Sequence, residues 1–130
     1  MATFESARNK YVSDSVQTMS PGHLIVALYD RVLLDLERAL AAMAESDLYA
    51  AHSALIHAQE IAFELLTSLD LKQWPEGASL ADIYRHVQDM LVEANVTKNP
   101  APVLACREAL IPLRDAWREA AGLVNAGGAP

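Results

Sequence analysis

Basic residues are scarce in this chain, and those present do not cluster. Ten Lys and Arg stand against 17 Asp and Glu, a formal charge of −7. No Lys/Arg run of the kind that neutralises a phosphate backbone is present, so nucleic acid would approach against the net field and is not expected as a partner. Cysteine occurs once, as Cys106, which excludes an internal disulfide. No stretch approaches the roughly 18 uncharged apolar residues needed to span a bilayer, so no membrane insertion is expected. The opening MATFESARNK lacks the apolar centre of a signal peptide. Together these absences predict a cytoplasmic protein. Aromatics make up only 6% of the residues, yet 52% are apolar and 21% charged. That balance suits helices that pack through Ala and Leu and is unlike a disordered chain, which runs low on apolar side chains.

Signs of catalysis are also missing. There is no G-x-S-x-G elbow, no P-loop and no G-x-G-x-x-G, and Gly127-Gly128 is followed by the chain end, not a helix. A di-iron site needs two Glu-x-x-His pairs plus two further glutamates. His57 with Glu60 and His86 with Asp89 stand three apart but in the reversed order, so they read as solvated polar faces. His23 and His52 have no acidic or cysteine partner at ligand spacing in their own segments. Cys106 falls on an apolar face with no histidine nearby, as a small core residue does. The expectation is a non-enzyme with no catalytic residue, metal or cofactor. Two rival classes would need other features. A metal-holding bundle needs convergent ligands, and a signalling bundle needs an exposed phosphorylatable histidine such as His52 or His57 in acidic surroundings, which are not evident.

What the chain does carry is helical punctuation and periodicity. In TMSPGHLIVALYD, residues 18–30, Ser20 is placed as an N-cap and Pro21 at the first helical position, where its missing N–H costs nothing. Leu24, Ile25, Leu28, Tyr29, Val32, Leu36, Leu40 and Met43 then recur at three- and four-residue steps along a helix predicted to end near Ala44. Glu45-Ser46-Asp47 predicts a tight turn in which Ser46 or Asp47 caps the next helix, over about residues 48–69. Leu48, Ala51, Leu55, Ala58, Ala62, Leu65 or Leu66, and Leu69 share one face of it, and Ile56, Ile61 and Phe63 lie outside that face. Trp74, Pro75 and Gly77 break the chain, and Ser79 is expected to cap a third helix to about Asn95, with Leu80, Ile83, Val87, Met90 or Leu91, and Ala94 as its stripe. A second break at 97–102 precedes a fourth helix marked by Val103, Cys106, Leu110, Leu113, Trp117 and Ala121, in which Pro112 predicts a kink.

No segment alternates as a strand does, and no long-period repeat appears. The fold class is therefore all-α, a single-domain antiparallel four-helix bundle over 21–121. A mobile N-terminal segment over 1–20 and a flexible tail over 122–130 flank it. Tyr11, Val12 and Val16 give that N-terminal segment a short helical apolar set, too brief to be stable alone, so it must dock or fray. Leu24, Leu33 and Leu34 beside the first stripe, and Ile61 and Phe63 beside the second, are more apolar surface than one seam needs. The surplus is consistent either with a wide core face or with a groove for a partner's amphipathic helix.

Several blocks, in order, resemble the FliS family of flagellar export chaperones. TMSPGHLIVALYD is close to that family's T-A-S-P-x-x-L-I-x-x-L-Y-D. Ala58-Gln59-Glu60-Ile61 with 65–69 resembles K-A-Q-x-I-x-x-L-x-x-S-L, Ile83-Tyr84 through Ala94-Asn95 resembles L-Y-x-x-M and L-x-x-A-N, and 113–117 resembles L-R-E-A-W. Met19, Arg31 and the Trp74-Pro75 connection depart from the pattern. The resemblance implies a chaperone that binds the disordered C-terminal segment of flagellin, keeps it from polymerising in the cytoplasm, and delivers it to a component of the flagellar type III export gate. It also implies an N-terminal cover over the groove, here Tyr11, Val12 and Val16. Leu24, Ile25, Leu28, Tyr29, Ile61, Leu65, Tyr84 and Leu91 are the candidate groove or groove-supporting positions. Tyr29 and Tyr84 are each compatible with anchoring a partner or with burying the ring and sending the hydroxyl to a neighbouring helix. A groove left open would also favour weak self-association.

Overall fold

The computed structural model describes residues 21–123, and Ser20, Tyr11, Val12 and Val16 lie outside that range. Four helices follow one another: α1 Pro21–Ala44, α2 Leu48–Thr67, α3 Ala78–Thr97 and α4 Pro100–Ala120, with a 3-10 turn Pro75–Gly77 before α3. No strand occurs among the described residues. α1 packs against α2 and α4, and α3 packs against the same two, so the helices close into a ring with α1 and α3 on one diagonal. Short connections between successive helices make this an antiparallel bundle.

The helix ends follow local chemistry. Ser46 takes a left-handed φ of 57° after α1. Its N–H donates to the Met43 carbonyl at 3.0 Å and that of Asp47 to Ala42 at 2.8 Å, the paired bonds that close a Schellman end. Asp47 is then the cap of α2, its carboxylate accepting from the Ala50 N–H at 3.1 Å. α4 closes in the same way, with Gly122 at φ 75° and the Leu123 N–H donating to Arg118.

Three expected boundaries move. α2 stops at Thr67, with Ser68 as its C-cap. Ser79 does not cap α3: the 3-10 turn runs directly into the helix, Ala78 donates to the Pro75 carbonyl, and Gly77 is the cap residue. The prolines expected to break the chain at 97–102 instead lie in the first turn of α4, where the missing N–H groups have no helical partner to lose. Asn99 caps that helix by accepting from the Ala101 N–H at 3.0 Å. Pro112 lies inside α4, as expected.

Between the helices, Val32, Leu36 and Ala39 of α1, Ala51, Leu55, Ala58 and Ala62 of α2, Val87, Leu91 and Ala94 of α3, and Val103, Cys106 and Leu110 of α4 form the core. Leu48 leaves the predicted face of α2 and is 58% exposed, because it sits in the first turn beyond the packed ring. Ile61, expected outside the α2 stripe, is wholly buried, and so is most of Leu33. Ile56 and Phe63 do remain exposed. Part of the surplus apolar surface is thus a wide core face and part is open.

Candidate functional site

At the end of the bundle where α1 begins and α2 ends, a cleft of about 440 Å³ opens. Gly22, Leu24 and Ile25 of α1 form one wall. Ser68, Leu69, Asp70, Gln73 and Trp74 of the α2–α3 connection form another, with Tyr84 and Trp117 behind. The connection is held in shape by Asp70, whose carboxylate accepts from the Lys72 and Gln73 N–H groups at 3.1 and 3.2 Å, while its carbonyl accepts from the Trp74 N–H at 2.8 Å. This turn projects the Trp74 indole over the cleft, where it stays 42% exposed. Gly77 permits that placement: a Cβ there would stand 2.8 Å from Trp74 Cε3.

Beneath the cleft, the hydroxyls of Tyr29 on α1 and Tyr84 on α3 share a 2.6 Å hydrogen bond across the bundle diagonal, their rings tilted at 57° with centroids 6.3 Å apart. Burial raises both phenols, with the Tyr84 hydroxyl opposing the rise at Tyr29, whereas at Tyr84 the facing Tyr29 adds to it. The Trp117 indole N–H opposes the rise at both. Both phenols are therefore neutral groups that bind one another, not acids.

The other candidate positions divide by depth. Leu24 and Ile25 line the cleft, and Leu28 is partly buried, packed against the core. Tyr29, Ile61, Leu65, Tyr84 and Leu91 are all buried, and of these five only Tyr84 lines the cleft. Trp74 and Trp117 were not among the sequence candidates. Trp117 stood within the fourth-helix stripe, but Trp74 lay in a loop with no periodicity to place it.

His57 is not on a solvated face with Glu60. Its Nδ1 lies 2.5 Å from the carboxylate of Asp35, a charged side chain only 2% exposed on α1. A carboxylate buried to that degree requires such a partner, and only the fold brings α1 and α2 together at this point. His52 faces Asn95 on α3. Among the described residues no group of three His, Cys, Asp or Glu could hold a metal ion. Cys106 is buried against the Val87 carbonyl, and burial pushes its thiol up to about 12.

The cleft is apolar with an aromatic rim and lies at one end of a helical bundle. A family profile described as Flagellar protein FliS matches residues 4–124. The chain is also 34% identical over 111 residues to the Flagellar secretion chaperone FliS of Bacillus subtilis (strain 168), across 85% of this chain and 82% of that relative. The chain belongs to the FliS family, whose members are chaperones and not enzymes. No described helix is long and apolar enough to cross a membrane.

Proposed function

We propose that this protein is a cytoplasmic chaperone for flagellin. It holds the disordered C-terminal segment of flagellin as helices, keeps flagellin from polymerising, and hands it to a component of the flagellar type III export gate. Family membership across nearly the whole chain carries this proposal, because the matched relative is named for flagellar secretion. The apolar cleft supplies a matching surface. A segment that is disordered when free folds on binding, spends part of its interaction energy on ordering, and so remains releasable for export.

In this scheme Leu24, Ile25, Leu28, Trp74 and Trp117 contact the segment, while Tyr29, Ile61, Leu65, Tyr84 and Leu91 support them. Tyr11, Val12 and Val16 cover the cleft until flagellin displaces them; α1 begins at Pro21, and the next residue, Gly22, lines the cleft. Light scattering of flagellin at a concentration that polymerises spontaneously tests the proposal. An equimolar amount of this protein is expected to suppress filament growth, and unchanged growth would refute it. Ile25→Asp places a carboxylate in the apolar wall. If the variant keeps its circular dichroism spectrum, it is expected to lose that suppression.

A further inference from the structure

Leu24, Leu28, Arg31, Asp35 and Arg38 follow one another along α1 at alternating steps of four and three, so they form a single row on that helix. The row is apolar at the cleft end and basic at the other. Its basic half faces α2 across a depression of about 540 Å³, to which α2 contributes Tyr49, Ala50, Ser53, Ala54 and His57. Small side chains at 50, 53 and 54 opposite two arginines are what leave the space.

The charges in this notch are unevenly used. Asp35 is engaged on both oxygens, by His57 Nδ1 and by Arg31 Nε at 3.5 Å. Arg31 reaches it through Nε, which leaves the terminal guanidinium nitrogens available to a further acceptor. Each of the other described arginines pairs with a carboxylate: Arg85 with Asp82, Arg107 with Glu37, Arg114 with Asp30 and Asp115, and Arg118 with Asp30. Arg38 pairs with none among the described residues. Two guanidinium groups against one carboxylate leave a local excess of positive charge on a chain whose formal charge is −7. Tyr49, 81% exposed, stands at the rim with its ring and hydroxyl open. Arginine beside exposed tyrosine is the side-chain pairing that protein interfaces favour.

We infer that the notch between α1 and α2 receives an acidic side chain of the bound partner, with Arg38 and the outer face of Arg31 as donors and the Asp35–His57 pair fixing Arg31 in place. The inference rests on the proposed binding of flagellin's C-terminal segment and adds a register to it. From Leu28 to Arg38 along α1 is about 15 Å at 1.5 Å per residue. A helix lying on this row thus presents apolar anchors to Leu24 and Leu28 and a carboxylate about ten residues away. The apolar half of the row supplies affinity, and the basic half selects one register, because a partner shifted by a turn leaves the arginines unmatched.

The test is a fluorescence anisotropy titration of the labelled C-terminal segment of flagellin from the same organism, at low and high salt. Arg38→Glu is expected to weaken binding at least tenfold at low salt, with a smaller loss at high salt. Arg85→Glu, which makes the same change in net charge on the diagonally placed α3, is expected to weaken it less than twofold. Replacing the matching acidic residue of the segment by Lys is expected to restore binding to Arg38→Glu. Normal binding by Arg38→Glu, or equal losses for both variants, overturns the notch while leaving the chaperone proposal standing. No binding by the unaltered protein overturns both. If Arg38→Glu changes only self-association, measured by sedimentation, the notch belongs to a second copy and the inference fails.

Discussion

Removing one hydroxyl of the Tyr29–Tyr84 pair is expected to cost more than half of removing both. The two oxygens are 2.6 Å apart, and both side chains are essentially inaccessible to solvent. Tyr84→Phe deletes the hydrogen bond and leaves the Tyr29 hydroxyl, away from water, with the Trp117 indole N–H but without its Tyr84 partner. That remaining contact puts the cost at the low end of the range for an unsatisfied group. The lost bond contributes about 1 kcal/mol net and the stranded group costs about 1–3 kcal/mol, so a loss of about 2 kcal/mol is expected for either single variant. The double variant strands neither hydroxyl, and the Trp117 indole N–H, in a side chain only partly buried at the cleft, can turn to solvent. Its expected loss is about 1 kcal/mol, well short of the roughly 4 kcal/mol sum, which gives a coupling of about 3 kcal/mol. Urea unfolding followed by far-ultraviolet circular dichroism, on the unaltered protein and the three variants, measures all four corners of this cycle. Additive losses would refute the account of the pair as a mutually satisfying bridge between α1 and α3.

Gly77→Ala should push the Trp74 indole away, since the new Cβ would stand 2.8 Å from its ring; a shift in tryptophan emission with only a small change in melting temperature is expected, and an unchanged emission spectrum would contradict the placement. Leu55→Ala removes a fully buried side chain from the α2 face and is expected to cost about 2–5 kcal/mol by chemical denaturation. Cys106 should resist a thiol reagent at pH 8 in the folded protein and react fully in urea, because a thiol pushed up to about 12 is only about one part in 10⁴ ionised there. Its folded value lies above its unfolded one, so the neutral thiol's contribution to stability is complete below about pH 8.5 and is lost as pH rises through the folded value. Above pH 9 the fall should be about 1 kcal/mol per pH unit, and the same denaturation series run from pH 7 to 10 checks it.

The bundle was legible because its signals are local. The stripe from Val32 to Leu36 and the Asp47 cap can be read from a few neighbouring residues, and both stand where the spacing put them. The prolines at 100 and 102 misled because a proline that stops one helix is equally at home in the first turn of the next, and only the Asn99 cap decides between them. For the site, periodicity located the wall residues Leu24 and Ile25 but could not tell them from the buried Ile61 and Leu91, since a groove and a core use the same side chains. Trp74 was hidden because a loop residue owes its position to turn geometry and not to a repeat. The Asp35–His57 pair was hidden for another reason: its partners are 22 residues apart and meet only through the α1–α2 packing.

Isothermal titration of this protein with the C-terminal few dozen residues of its cognate flagellin tests the central claim most directly. Binding at micromolar or tighter affinity is expected, with a favourable enthalpy, an opposing entropy and a negative heat-capacity change, the signature of a segment that folds as it buries apolar surface. Absence of heat from binding across several temperatures, with a folded protein in the cell, would contradict it.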